Sequence, residues 1–302
     1  TRIGELAAAV GELCDNLHKH AVHGRLQVRC LRRAGVTGVE VVAVDAGPGL
    51  PDLDERHRPG SRAGDADDGG LPMVARVASR ADGYSLPGRG TAIVAQFWPR
   101  GVYPGPATVA GLTRQLASEP VCGDRFAVRI GADGTLALLV DGLGHGPLAA
   151  QAAEAAVDTF RAAQSGEPAE LVEEIHQAIA HTRGAAVAVV RLDAGEGGVR
   201  FAGLGNVAAA VLAAPGTAGA GRRGMVSQPG VAGHQRRTVC EFSYPVEPGA
   251  MVVLHSDGVT DRWDLAAYPG LAGHEPLVVA ATLMRDAGVR RDDACVVVAR
   301  VC

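Results

Sequence analysis

Apolar positions recur at helical spacing over 2–22, where Leu6, Val10, Leu13 and Leu17 form one stripe. The rhythm then changes to the short Val- and Leu-rich runs of strands at 26–33 and 38–45, followed by a Gly/Asp/Arg-rich loop to about 68. A helix is expected over 70–82 and a strand over 91–98. The segment Trp98-Pro99-Arg100-Gly101-Val102-Tyr103-Pro104-Gly105-Pro106 then interrupts both patterns and reads as a linker. Beyond it strands are expected at 107–113, 124–131 and 135–141, helices at 146–163 and 168–182, and strands at 185–192, 198–204 and 206–213. Residues 214–224 read as a flexible hairpin loop, followed by strands at 237–243 and 250–256, a helix at 275–287 and a strand at 293–300. Turn signals such as Gly131-Ala132-Asp133-Gly134 join neighbouring strands and argue for antiparallel sheets. The expected class is α+β in two domains: a small α/β sandwich over 1–99, a linker at 100–106, and a β-sandwich flanked by helices over 107–302.

Composition narrows the function classes. Apolar residues make up 47% and charged residues 21% of 302, with a net charge of only −4, which is enough to bury full cores and too balanced for disorder. No apolar run approaches the roughly 18 residues of a membrane-spanning helix. Lys19 is the sole lysine, so the chain has no G-K-[ST] phosphate loop. Basic residues form no stripe, which argues against a nucleic-acid partner. The cysteines at 14, 30, 122, 240, 295 and 302 include no C-x-x-C pair and read as reduced thiols of a cytoplasmic protein.

Candidate chemistry in the second half lies in its acidic residues. Asp124 and the Asp292-Asp293 pair, just before apolar strands, and Asp141 and Asp257, just after them, all fall at strand ends. Carboxylates delivered from separate strand ends can converge on Mg²⁺ or Mn²⁺, which take hard oxygen ligands and keep several waters. Two such ions can activate a water and clamp a phosphoryl oxygen. The glycines beside Asp141 would allow a close backbone approach. In order, Cys122-Gly123-Asp124, Asp141-Gly142-Leu143-Gly144-His145-Gly146, Ser256-Asp257-Gly258-Val259-Thr260-Asp261 and Arg291-Asp292-Asp293-Ala294 resemble the SpoIIE-like branch of the metal-dependent (PPM-type) protein serine/threonine phosphatases. The resemblance covers about 104–302. It implies that Asp141 bridges two metals, that the Gly142 carbonyl binds one of them, and that Asp257 and Asp292 are further ligands, with Asp293 able to replace Asp292. Asp124 would act through the metal shell or a bound water. His145 is either a proton donor to the leaving serine oxygen or a structural residue at a helix start.

In the first half, Glu12 and Asn16 are four apart and share a helix face. A carboxylate there suits a general base and an amide oxygen suits Mg²⁺. Asp45-Ala46-Gly47-Pro48-Gly49, Gly69-Gly70-Leu71-Pro72 and Gly88-Arg89-Gly90-Thr91 follow in order. An Asp at a strand end can accept an exocyclic amine, and glycines before a helix can cradle phosphates. The set resembles the GHKL ATP-binding fold, most closely the anti-sigma-factor serine kinases, including the RsbT-like group. That resemblance implies that Asn16 holds Mg²⁺, Glu12 activates a serine hydroxyl and Asp45 reads adenine. Gly47 and Gly49 would shape the base pocket, Gly69 and Gly70 contact phosphates, and Thr91 line the site. Lys19 with His18, His20 and His23 is read either as a set of phosphate contacts or a metal cluster, or as last-turn cations answering the helix dipole, the reading favoured for the histidines. Because the chain begins at Thr1, inside the Glu/Asn helix, the elements that precede that helix in the GHKL fold are expected to be missing.

Together these readings describe a partner-switching regulator. A Mn²⁺- or Mg²⁺-dependent phosphatase for a phosphorylated STAS-type anti-sigma-factor antagonist is joined to a module that binds ATP with Mg²⁺. The alternative is that this module senses ATP without transferring phosphate, docks partners and gates the phosphatase.

Overall fold

A computed structural model describes the chain apart from residues 34, 51, 52, 54–69, 103, 194–197, 215–220, 236, 237, 290 and 302. Helix α1 (Arg2–His20) opens with the Thr1 hydroxyl accepting the Gly4 N–H and buries Ala9 and Leu13. Strands β1 (Arg25–Arg33) and β2 (Val36–Asp45) form an antiparallel pair, and a short helix α2 spans Leu71–Val77. Strands β3 (Arg80–Leu86) and β4 (Gly90–Phe97) complete a sheet of order β1-β2-β4-β3. Leu13 of α1, Val74 of α2 and Val41, Ala43, Ile93 and Ala95 of the sheet share one core.

The expected helix at 70–82 is corrected here: α2 stops at Val77, and residues 80–86 are a strand. Ser79 N–H bonds to the Gln96 carbonyl, and Arg80 pairs with Gln96, so β4 gains a second partner strand. Sheet pairing outweighs weak helical periodicity in a segment rich in Ser, Asp and Gly.

In the second half, β5 (Val109–Arg114), β6 (Asp124–Gly131) and β7 (Gly134–Gly142) precede helices α3 (Pro147–Ala162) and α4 (Pro168–Ala178). Strands β8 (Ala185–Asp193), β9 (Gly198–Leu204) and β10 (Ala208–Leu212) follow. Then come β11 (Arg222–Met225), β12 (Ser227–Gln228), β13 (Phe242–Pro245) and β14 (Met251–His255). Helix α5 (Pro276–Ala287) and strand β15 (Ala294–Arg300) close the chain. Strands β11 and β12 were not expected from the sequence, and the expected strand at 237–243 runs instead over Phe242–Pro245.

One sheet has the order β11-β10-β14-β15-β5 and the other β12-β9-β8-β7-β6, with β13 also on β9. Leu139, Ala188, Val190 and Phe201 of the second sheet pack against Val252, Leu254, Val297 and Ala299 of the first. This is a β-sandwich built from alternate inward residues. On the other face of the β6–β9 sheet, Leu138, Val187 and Val189 meet Ala153, Phe160, Leu171 and Ile175 of α3 and α4.

By its contacts the described chain separates into two units, one of Thr1–Ala107 with Leu265–Asp286 and the other of Thr108–Asp264 with Ala287–Cys302. Within the first unit, Asp82 of β3 accepts hydrogen bonds from the His274 ring and the Glu275 N–H, both at the start of α5. Among the described residues no helix is long and apolar enough to cross a membrane. Cys14, Cys30, Cys122, Cys240 and Cys295 are free thiols.

Candidate functional site

The strand ends of the second unit bring the expected carboxylates together. Asp124 begins β6 and Asp141 lies at the end of β7, and the antiparallel register sets them directly opposite each other. From the facing sheet, β14 ends at His255 and delivers Ser256 and Asp257, while Asp292 and Asp293 enter its neighbour β15. Ser256 Oγ donates to Asp124 Oδ2 at 2.6 Å and accepts the Cys295 N–H at 2.9 Å, tying one sheet to the other. The Asp257 backbone N–H bonds to the Asp141 carboxylate, and Asn206 Nδ2 donates to Asp257 Oδ2 at 2.8 Å. At buried Gly142, a Cβ would lie 2.2 Å from the Ala149 carbonyl oxygen, so only glycine fits where α3 crosses the end of β7.

Asp292 and Asp293 have different surroundings. Asp293 is buried, and its two oxygens accept the Leu116 and Gly123 N–H groups, each at 2.7 Å. Asp292 is half-buried, accepts the N–H of Asp293 at 2.9 Å, and feels the charge of Asp257. Both Asp293 oxygens thus already accept backbone N–H groups, whereas one such bond is made to Asp292.

Burial pushes the Asp141 carboxyl up to about 9, reinforced by the charges of Asp124, Asp257 and Asp292. Burial likewise raises Asp124 to about 7, against the lowering effect of the Ser256 hydroxyl and with the charges of Asp293, Asp257 and Asp292. Asp292 is raised in the same way, by burial first. Carboxylates crowded in this manner lack a counter-charge, and hard divalent cations are the natural complement of an all-oxygen donor set. Among the described residues no three His, Cys, Asp or Glu side chains close into a ready cage. Cys122, beside Asp124, has its thiol pushed up to about 12 by burial and by that carboxylate, so it stays a neutral thiol.

His145 is exposed on the turn before α3, and its Nδ1 lies 2.6 Å from Glu119 Oε1. Glu119, Asn206 and Ser256 were not assigned roles from the sequence. Ser256 sits inside a recognised motif, whereas nothing in local sequence ties Glu119 to a turn 26 residues later.

The first unit contains a cavity lined by Asn16 and His20 of α1, Asp45 at the end of β2, Gly49, Leu71 and Thr91 of β4. Asp45 and Thr91 are register partners, and Asp45 Oδ1 accepts the Gly47 N–H at 2.7 Å. Gly47 is packed so tightly that a Cβ would lie 2.7 Å from both Asp45 Oδ1 and the His20 carbonyl. Gly49 and Gly70 have φ of +75° and +81°, conformations that favour glycine. Asn16 Nδ2 is 3.4 Å from Glu12 Oε1, which puts the expected carboxylate and amide together. Lys19 is placed elsewhere: it is exposed, 3.8 Å from Asp15, and does not line the cavity. His20, four residues beyond Asn16 on the same face, lines it instead. Gly69 lies outside the described residues.

A sandwich of two largely antiparallel sheets with carboxylates gathered at one end has the architecture of a protein phosphatase. The chain belongs to the SpoIIE family of protein serine/threonine phosphatases, the family model described as Stage II sporulation protein E matching residues 131–302. It is also 30% identical over 95 residues to the serine/threonine-protein kinase RsbT of Bacillus subtilis, a match spanning 32% of this chain and 71% of RsbT. Among solved structures, a chain from the bacterial stressosome, described as a modular system adapted to control secondary messenger signalling, is 29% identical with a TM-score of 0.55. That match covers 64% of this chain and 98% of that one. RsbX in complex with magnesium shares the fold at 18% identity and a TM-score of 0.54, over 64% of this chain and 94% of that one. The phosphatase domain and a regulatory fragment of SpoIIE from Bacillus subtilis superpose with a TM-score of 0.50 at 15% identity, over 99% of this chain and 88% of that one.

Proposed function

We propose that the second unit hydrolyses phosphoserine or phosphothreonine on a STAS-type anti-sigma-factor antagonist, using Mn²⁺ or Mg²⁺ held by Asp141, the Gly142 carbonyl, Asp257 and Asp292. Asp124 assists from the other side of the site. The observation that carries this reading is the meeting of Asp124 and Asp141 from one sheet with Asp257 and Asp292 from the other. When bound, the metal pair supplies an activated water and neutralises charge on the phosphoryl oxygens. The protein's part is to hold the carboxylates in register: Asn206 fixes Asp257, the Asp257 N–H fixes Asp141, and Ser256 fixes Asp124. Phosphate release from a phosphorylated STAS protein with Mn²⁺, abolished in Asp141→Asn, is the expected result. No release by the parent protein would end the proposal.

The first unit is proposed to bind ATP with Mg²⁺ in the cavity described, with Asn16 toward the metal, Asp45 toward the adenine amine and Glu12 as base. Gly47, Gly49 and Thr91 would shape the base pocket, and Gly69 and Gly70 would approach the phosphates. Lys19, the chain's one lysine, is exposed beside Asp15 and does not line the cavity, which favours the second reading of an ATP sensor that docks partners and gates the phosphatase. Calorimetry with ATP and Mg²⁺, then transfer of labelled γ-phosphate to a candidate partner, separates the two: binding without transfer leaves the sensor. Both activities belong in the cytoplasm, beside partner-switching proteins.

A further inference from the structure

His145 and Glu119 form a carboxylate–imidazole pair at the edge of the proposed phosphatase site. Their 2.6 Å contact is made possible by the backbone around it. Gly146 has φ +74°, and a Cβ there would lie 2.3 Å from Glu119 Oε2, so the glycine opens the space that the carboxylate fills. Glu119 is held in turn: its N–H bonds to the Leu116 carbonyl, and the Leu116 N–H bonds to Asp293 Oδ1. Asp293 thus anchors the turn that presents Glu119, while its neighbour Asp292 is close enough to feel the charge of His145. The Glu119 side chain is 19% exposed and that of His145 is 57% exposed, so the carboxylate is backed into the protein and the ring remains open to a protein substrate.

We propose that Glu119 is the positioning residue for a general acid at His145. It accepts the Nδ1–H, fixes the ring, and leaves Nε2–H to protonate the seryl or threonyl oxygen that departs. A carboxylate on one ring nitrogen sets the role of the other. This rests on the phosphatase reading above. In the step, the water oxygen forms the new P–O bond while the P–O bond to the side chain breaks. The electron pair of the broken bond goes to the alkoxide oxygen, which takes the Nε2 proton. The proton shed by the water goes to solvent and the imidazole is later reprotonated, so the net change is phosphoserine plus water to serine plus phosphate.

The test compares a phosphoserine peptide with p-nitrophenyl phosphate, whose leaving group needs no proton, at saturating Mn²⁺. Glu119→Gln should lower kcat on the peptide about 10- to 100-fold with KM little changed, and on the aryl ester only about twofold to threefold. Glu119→Asp should recover part of the loss. The double variant Glu119→Gln/His145→Gln should be no slower than His145→Gln alone, because the two act as one unit. In ¹⁵N-histidine spectra of the metal-free protein, Glu119→Gln should shift the Nδ1 signal of His145. Equal losses on the two substrates, or losses that multiply in the double variant, overturn the proposal. A parent protein inactive on both substrates removes the phosphatase reading instead, and an unshifted Nδ1 signal then removes the pairing as well.

Discussion

Ser256 Oγ donates to Asp124 Oδ2 at 2.6 Å and accepts the Cys295 N–H at 2.9 Å, with the hydroxyl fully buried. One side chain therefore joins a carboxylate of the β6–β9 sheet to the backbone of β15. Ser256→Ala would leave a buried carboxylate oxygen and a buried N–H without this partner, at a cost of about 1–3 kcal/mol. Urea unfolding in the presence of chelator measures it, and a change below about 0.5 kcal/mol, the range of an ordinary surface substitution, would contradict the bridging role.

Asp292 and Asp293 should respond oppositely to the same substitution. Asp293→Asn places an NH₂ against one of two backbone N–H donors, so a lower Tm is expected. Asp292→Asn removes a carboxylate that burial already disfavours, so Tm should hold or rise while Mn²⁺ affinity falls more than about tenfold. Calorimetric Mn²⁺ titration beside thermal melts reads both, and the reverse pattern would exchange their roles.

The strand ends were legible because four apolar runs each have an Asp at one end, and period-two burial leaves little freedom in where such a strand starts or stops. β3 was not legible: Arg80-Ala-Asp-Gly carries no clear alternation, and its pairing depends on β4, which lies later in the chain. Residues 265–286 were expected within the second domain and group with the first unit by contacts, a matter of Asp82 meeting His274 and Glu275 across 192 and 193 positions. The positions of the four carboxylates at strand ends were visible in the sequence, but their distant partners and those of His145 were not. Glu119 meets His145 across 26 positions and Asn206 meets Asp257 across 51.

Gly142 should tolerate no side chain. A Cβ would lie 2.2 Å from the Ala149 carbonyl oxygen and 2.8 Å from its carbon, both backbone atoms in the first turns of α3. Gly142→Ala must displace the helix or the end of β7, costing about 1–3 kcal/mol and moving Asp141 out of register with Asp124. Thermal melts and Mn²⁺ titration should both worsen; a variant with the parent's Tm would show that α3 can give way freely.

A pH dependence should arise far from the carboxylate site. Burial raises Asp193, but hydrogen bonds from Arg200 and Arg191 outweigh it and hold the carboxyl below its ordinary range. Arg191 Nε reaches Asp193 Oδ1 at 2.6 Å and Arg200 Nη2 reaches it at 3.0 Å, while Arg191 also donates to the Gly166 carbonyl and Arg200 pairs with Glu167. The cluster thereby fastens β8 and β9 to the start of α4. A carboxyl whose folded pKa is depressed contributes stability that is fully present above its unfolded pKa of about 3.9 and is lost as pH falls through the lower folded value. Asp193→Asn lacks that contribution at every pH. The parent should therefore melt above the variant at neutral pH, and the gap should close as pH falls below about 4. Calorimetry across that range decides it, since a gap that stays constant down to about pH 2 would mean that Asp193 stabilises by packing rather than by its charge.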